Sequence, residues 1–243
     1  MDDQQNLESY REAVSQLDPK GPPEARILKE PLDLSVQVSK RCLVLDAAFN
    51  PPTTAHWALA QESAQVSNAE TILLQLAVTN VDKGIEGADL GQRLLMLETI
   101  SDSDGRTGVS ICSHARFVDK AAALTRISPK TRFIFAIGFD TLIRLVDPKY
   151  YQNMQADLET LFRIAEVAVA NRGDRDKSEL ARYLDSPTLK KHSKHIHQIS
   201  LAQNFAGISS SGIREAISTD RPFEQSVSPT TVRVIEALRL YKE

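Results

Sequence analysis

Residues 43–56 read Leu43-Val44-Leu45-Asp46-Ala47-Ala48-Phe49-Asn50-Pro51-Pro52-Thr53-Thr54-Ala55-His56. A short apolar run ends in small residues, a Phe-Asn-Pro-Pro turn follows, and a Thr and a His stand three positions apart where a helical pattern begins. That is the order strand, tight turn, helix N-terminus. Pro51 and Pro52 stiffen the turn and bring no N–H groups of their own, while Thr53 or Thr54 is suited to cap the helix. His56 shares a side of the first helical turn with Thr53. Open backbone N–H groups and the helix dipole both favour negative charge at such a place, so the stretch reads as a site for a phosphate.

Working outward, apolar runs at 41–46, 71–78, 108–112, 131–137, 165–170 and 195–201 read as strands. Helical patterns lie between them at about 55–68, 90–103, 118–127, 139–146, 154–163 and 176–185, and two more, 211–219 and 228–242, close the chain. Strands alternating with helices imply βαβ units, right-handed crossovers and a parallel sheet, an α/β fold of the Rossmann-like, doubly wound kind. Ligands of such sheets bind beyond the strand C-terminal ends, where strand order reverses. The turn at 47–53 follows the first main strand, where that rule puts a site. Residues 1–39 hold a short helical pattern at 4–16, then Gly21, Pro22, Pro23 and Pro31 among charges. They read as an N-terminal extension ahead of a domain over 40–243.

With 243 residues, 42% hydrophobic and 25% charged, the chain can build an ordinary globular core, and bulk disorder is excluded. A net charge of −3 and a pI of about 6.0 call for neither a nucleic-acid nor a membrane partner, so any phosphate affinity has to be local. No apolar run approaches a membrane span, and residues 1–20 carry no apolar signal core. Cys42 and Cys112 lie in or beside apolar runs and read as buried thiols. Without a disulfide framework or zinc spacing, the expected compartment is intracellular, cytoplasm or nucleus.

A second phosphate-type segment, Ile208-Ser209-Ser210-Ser211-Gly212-Ile213-Arg214, opens the helical pattern near the C-terminus. The two segments resemble the paired signatures of the nucleotidylyltransferase superfamily, G-x-F-x-P-x-[HT]-x-x-H and I-S-S-T-x-x-R. Ala47 stands at the first Gly and Ser211 at the Thr. Within the superfamily, residues 41–242 are most similar to nicotinamide mononucleotide adenylyltransferases, and best to a divergent fungal branch.

The resemblance implies a nucleotidylyltransferase-type fold that binds ATP. It implies attack of the mononucleotide 5′-phosphate on the α-phosphorus, with pyrophosphate leaving and NAD as product. His56 and Thr53 would then meet the ATP phosphates, and the backbone around Ala47, Ala48 and Phe49 the nucleotides. Ser209, Ser210 and Arg214 would hold the phosphates that become pyrophosphate. An Arg suits that task because its fork stays charged and binds oxyanions in pairs. Lys83, in Thr79-Asn80-Val81-Asp82-Lys83, matches a family lysine on the mononucleotide phosphate. Arg93 resembles a family Arg, with pairing to a nearby carboxylate the other account.

Gly138-Phe139-Asp140-Thr141-Leu142 resembles the family element G-x-D-x-L, which gives Asp140 a ribose hydroxyl of the adenosine; a helix cap is compatible with it. Tyr151 takes the place of a family Trp that stacks on the nicotinamide ring. A second aromatic platform is missing, with Phe117 as a candidate replacement, and the lone Trp57 reads as core. Arg172, after the fifth strand, matches an Arg near the adenine or the phosphates. Mg²⁺ is expected on phosphates and water, since no acidic ligand cluster is visible. His192, His195 and His197, among Lys190, Lys191 and Lys194, read as a solvated basic edge, so no metal ligand is assigned. Two other readings stay open: adenylyl transfer to another phosphorylated acceptor such as phosphopantetheine, and a nucleotide-binding homologue without turnover.

Overall fold

Every apolar run of the alternating pattern becomes a strand of one sheet. The computed structural model describes residues 3–31, 40–79, 87–171, 174–202, 205 and 207–242. Its strands are β1 (Ala25–Lys29), β2 (Arg41–Asp46), β3 (Thr71–Ala77), β4 (Thr107–Cys112), β5 (Arg132–Gly138), β6 (Ala165–Asn171) and β7 (Ile196–Ser200). Its helices are α1 (Asp3–Ser15), α2 (Thr54–Val66), α3 (Leu90–Ser101), α4 (Phe117–Ile127), α5 (Phe139–Leu145), α6 (Met154–Ile164), α7 (Asp174–Leu184), α8 (Pro187–Lys190), α9 (Ser210–Ser218) and α10 (Pro229–Ala237).

The strand order is β1-β4-β3-β2-β5-β6-β7. From β4 to β7 all pairings are parallel. The chain therefore winds outward from β2 on one side and from β5 on the other, and the reversal falls between those two strands. That is the switch point at which doubly wound sheets bind ligands. Strand β2 is buried on both faces. Leu43 and Leu45 join the core under α2, α3, α9 and α10, and Cys42 and Val44 the core under α4, α5 and α6. Each such aliphatic side chain contributes about 1.5–3 kcal/mol by leaving water. The cysteines are wholly buried free thiols, and burial pushes the Cys42 thiol up to about 12.

Three elements depart from the sequence pattern. Strand β1 was not anticipated. It pairs antiparallel with β4 and closes that edge of the sheet, while α1 packs on α3. The approach is so close that a Cβ on Gly108 would stand 2.5 Å from the Lys29 carbonyl oxygen, so only glycine fits there. The pattern at 228–242 stops being helical at Ala237, because Arg239 and Tyr241 are left-handed, at φ 51° and 64°. His195 lies in a 3₁₀ turn before β7 instead of on the strand.

The basic edge at the strand N-terminal ends is built around a carboxylate. Glu166 accepts from Arg41 (2.6 Å), Arg132 (3.1 Å) and His197 (2.7 Å). Burial works against its charge, but these hydrogen bonds outweigh burial and hold the carboxyl far below its ordinary value. A depressed folded value means the stabilisation is full above the unfolded value of about 4.5 and is lost as pH falls through the folded one. Glu166→Gln is expected to cost roughly 1–3 kcal/mol at neutral pH and to flatten the acid limb of stability measured by urea unfolding. An unchanged acid limb would show that the carboxylate contributes nothing there.

Candidate active site

The turn after β2 is fastened from all sides. Thr53 caps α2: its hydroxyl accepts from the His56 N–H (3.1 Å), and its own N–H donates to His56 Nδ1 (3.1 Å). The ring thus stands in for the carboxylate of a capping box. With Nδ1 accepting, the proton of the neutral imidazole belongs on Nε2. Phe49, left-handed at φ 45° and 1% exposed, packs its ring at 5.1 Å from the imidazole. Cap and ring contact together fix the His56 orientation before any ligand arrives.

The second motif closes on the first. Ser209 caps α9 through the Gly212 N–H (3.1 Å), Ser210 Oγ donates to the Pro51 carbonyl (2.8 Å), and Arg214 Nη1 donates to the Asn50 carbonyl (2.8 Å). The last two contacts join residues 159 and 164 positions apart. They bring the N-termini of α2 and α9 together at the C-terminal edge of the sheet. Arg93, 6% exposed, donates to the carbonyls of Ala88 (2.8 Å) and Ala48 (3.3 Å). Burial lowers its pKa, and the nearby Arg214 adds to that. The two guanidinium groups thus engage two carbonyls of the turn, those of Ala48 and Asn50.

Between the two helix ends lies a cavity of about 140 Å³. Thr53, His56, Ser209 and Ser210 give it a polar wall, and Ala170, Leu201, Phe205 and Ile208 an apolar one. Two helix N-termini facing an apolar pocket suit a nucleotide, with phosphate at the dipoles and base on the hydrocarbon. Gly138, last in β5, also lines the cavity. Its φ of −78° is open to any residue, and a Cβ there would meet nothing within 4 Å. The glycine therefore serves the space and not the backbone. Gly138→Ala should keep stability within about 1 kcal/mol yet raise the KM for a nucleotide that fills the cavity. A KM equal to wild type would place the ligand elsewhere.

Residues 44–216 match the cytidylyltransferase-like family. The chain belongs to that family. A Schizosaccharomyces pombe protein, curated under the provisional name nicotinamide mononucleotide adenylyltransferase, is 30% identical over 253 residues, 97% of this chain and 95% of the relative. Two solved structures of Plasmodium falciparum nicotinic acid mononucleotide adenylyltransferase share the fold. The one complexed with NaAD gives a TM-score of 0.62 at 16% identity, and the one complexed with APC 0.59 at 14%. Each match covers 83% of this chain and 97% of the other. The cytidylyltransferase-like match runs from β2 into α9, so both motifs that meet at the cavity fall inside it.

The other residues singled out from sequence are placed as follows. Neither Ala47 nor Ala48 of this cytidylyltransferase-like site is left-handed, so alanine fits where the motif has glycine. Asp140 is exposed in the first turn of α5, makes no side-chain cap, and has no hydrogen bond or ion pair among the described residues. Tyr151 is half-buried, donates to the Leu145 carbonyl (2.7 Å), and is not a wall of the cavity. Burial pushes its phenol up to about 12, with Asp157 adding and Arg116 opposing. Phe117 packs edge-on against Phe135 at 5.4 Å, and Trp57 packs against the core. Lys83 and Arg172 lie outside the described residues.

Several participants were not legible beforehand. Asn50 is one, since its side chain and its carbonyl are both anchor points. The apolar wall at Leu201 and Phe205 is another. Lys120, 3% exposed, also went unread; it pairs with Asp46 (2.5 Å) at the end of β2.

Proposed function

We propose that this cytidylyltransferase-like protein is a nicotinamide-nucleotide adenylyltransferase, which transfers AMP from ATP to nicotinamide mononucleotide to give NAD and pyrophosphate. The observation that carries the reading is the closure of the two phosphate motifs on one turn, Ser210 on Pro51 and Arg214 on Asn50. The fission-yeast relative supports the acceptor, being named for that mononucleotide and alignable along nearly the whole chain.

In the proposed reaction a 5′-phosphate oxygen of the mononucleotide forms a bond to the α-phosphorus of ATP. The bond from that phosphorus to the β-phosphate oxygen breaks, and pyrophosphate leaves. No covalent enzyme intermediate is involved, so the protein contributes positioning and charge stabilisation. His56 would present Nε2–H to a phosphate oxygen, and Arg214 with the α9 N-terminus would take the leaving pyrophosphate. Ser209 and Ser210 would act chiefly by building that terminus, since their hydroxyls cap α9 and tie it to the turn. Lys83 on the mononucleotide phosphate, Asp140 on the adenosine ribose, Tyr151 against the pyridine ring and Arg172 near the adenine complete the proposal.

Mg²⁺ belongs to it as the counter-ion of the triphosphate. In this proposal phosphate oxygens and water carry the cation. Among the described residues, no helix is long and apolar enough to cross a membrane. On the cysteine usage of the sequence, the proposed compartment is the cytoplasm, with the nucleus also open.

Pure protein with ATP, Mg²⁺ and nicotinamide mononucleotide should yield NAD and pyrophosphate in equal amounts. An acceptor panel with the deamidated mononucleotide and phosphopantetheine, scored by pyrophosphate release, ranks the alternatives. Absence of NAD over a broad pH range rejects the assignment.

A further inference from the structure

The last residues of the chain reach back to the phosphate turn. After α10 ends at Ala237, Leu240 inserts into the core at 6% exposure. Tyr241 then directs its hydroxyl to Asn50 Oδ1 at 2.9 Å, across 191 positions of sequence. The same oxygen accepts from the Ala88 N–H at 3.2 Å. The Ala88 N–H can only donate, so it requires an oxygen at that position and settles which way the Asn50 amide faces; the Tyr241 hydroxyl is then the donor. Packing around it is tight: a Cβ on Gly87, itself left-handed at φ 78°, would stand 3.0 Å from the Tyr241 ring and 3.1 Å from the Asn50 amide. The main chain of Asn50 is meanwhile the anchor of Arg214.

Geometry of this kind has a conformational cost. Arg239 and Tyr241 are left-handed without being glycine, and such residues persist only where surrounding contacts hold them. Arg239 is accounted for by the helix end: it takes the left-handed place after the Leu238 cap, its N–H donating to the Glu236 carbonyl (3.2 Å) and the Leu240 N–H to the Ile235 carbonyl (2.9 Å). The left-handed Tyr241 is not required by that ending, and its hydroxyl lies on Asn50. Burial raises the phenol pKa despite the opposing influence of Arg93 and Arg214, so the group stays a neutral donor.

We propose that Tyr241 is a positioning residue for the phosphate turn. Its hydroxyl fixes the Asn50 side chain, so the Asn50 carbonyl stays seated on Arg214 and the N-termini of α2 and α9 keep their relative place. The proposal rests on the adenylyl-transfer reading for its kinetic arm only. Tyr241 itself touches no reacting atom; it acts through Asn50.

The test uses the full chain and Tyr241→Phe, which removes one oxygen and keeps the ring. We expect kcat for pyrophosphate release to fall about threefold to tenfold, the loss typical of one neutral hydrogen bond that matters in the transition state. The melting temperature and the KM for ATP should hardly change. Placed on Asn50→Ala, the same substitution should have no further effect on kcat. An equal fold-loss in both backgrounds, or a kcat equal to wild type, overturns the proposal. So does a fall in melting temperature that accounts for the whole loss of activity. Amide hydrogen exchange without nucleotide supplies an arm independent of turnover: Tyr241→Phe should speed exchange in peptides covering 47–56 and 87–93 and leave β5 and β6 unchanged. If the wild-type chain releases no pyrophosphate with any acceptor, the reaction assignment fails, and the exchange arm still decides the role of Tyr241.

Discussion

His56→Ala is expected to lower kcat for AMP transfer by roughly 10²–10³-fold, the usual loss for one preorganised donor at a developing charge. Two effects have to be separated. The ring also closes the cap of α2 by accepting from the Thr53 N–H, and loss of a cap costs about 1 kcal/mol of stability. His56→Asn separates them. An Asn carbonyl oxygen lies at the depth of Nδ1, so it restores the acceptor for Thr53 but leaves no group at the depth of Nε2. Single-turnover assays should find both variants slow, with only His56→Ala appreciably less stable. ATP affinity, read by calorimetry, should change far less than kcat in either. Near-normal turnover in His56→Asn would mean that the imidazole is a cap and no more.

Arg214→Lys is the second large effect. Lysine keeps the charge but has neither the planar fork nor the reach to donate to the Asn50 carbonyl and hold a phosphate oxygen at once. A fall in kcat/KM for ATP of about 10²-fold or more is expected, in line with removal of a charge-assisted donor pair. Arg214→Ala should lose more, and added guanidinium should recover part of the rate in Arg214→Ala but none in Arg214→Lys. Pyrophosphorolysis of NAD, the reverse reaction, ought to suffer equally, because the pyrophosphate site is shared. A variant impaired only in the forward direction would place Arg214 away from pyrophosphate.

Legibility followed the range over which each signal acts. The strand and helix order could be read because period and punctuation are local: Leu43-Val44-Leu45 before Pro51 and Pro52 allows few other folds. The cap of α2 was likewise visible, as Thr53 or Thr54, since it acts within three positions; Ser209 was read only for a phosphate, and its capping of α9 comes from the structure. Strand β1 escaped notice because an edge strand with one fully buried residue has no alternation to read. The close of the chain was misread for a related reason. Leu238, Leu240 and Tyr241 continue an apolar pattern, and nothing local marks Arg239 as left-handed. The Asn50 hub gathers Ala88, Arg214 and Tyr241 from three distant segments, a convergence that only tertiary packing creates. The Ser210 hydroxyl bond to the Pro51 carbonyl, 159 positions away, is another contact that only the fold creates.

Strand β1 has a bearing on how the molecule behaves at high concentration. Every residue of β4 is buried, and without its antiparallel neighbour its outer row of peptide groups would face solvent as a template for a second chain. The covering strand is a poor template in turn. It is five residues long, carries Arg26 and Lys29, and slips register between Ile27 and Lys29. A version of the protein trimmed before residue 40 would therefore be prone to self-association, and it would also lose the packing of α1 on α3.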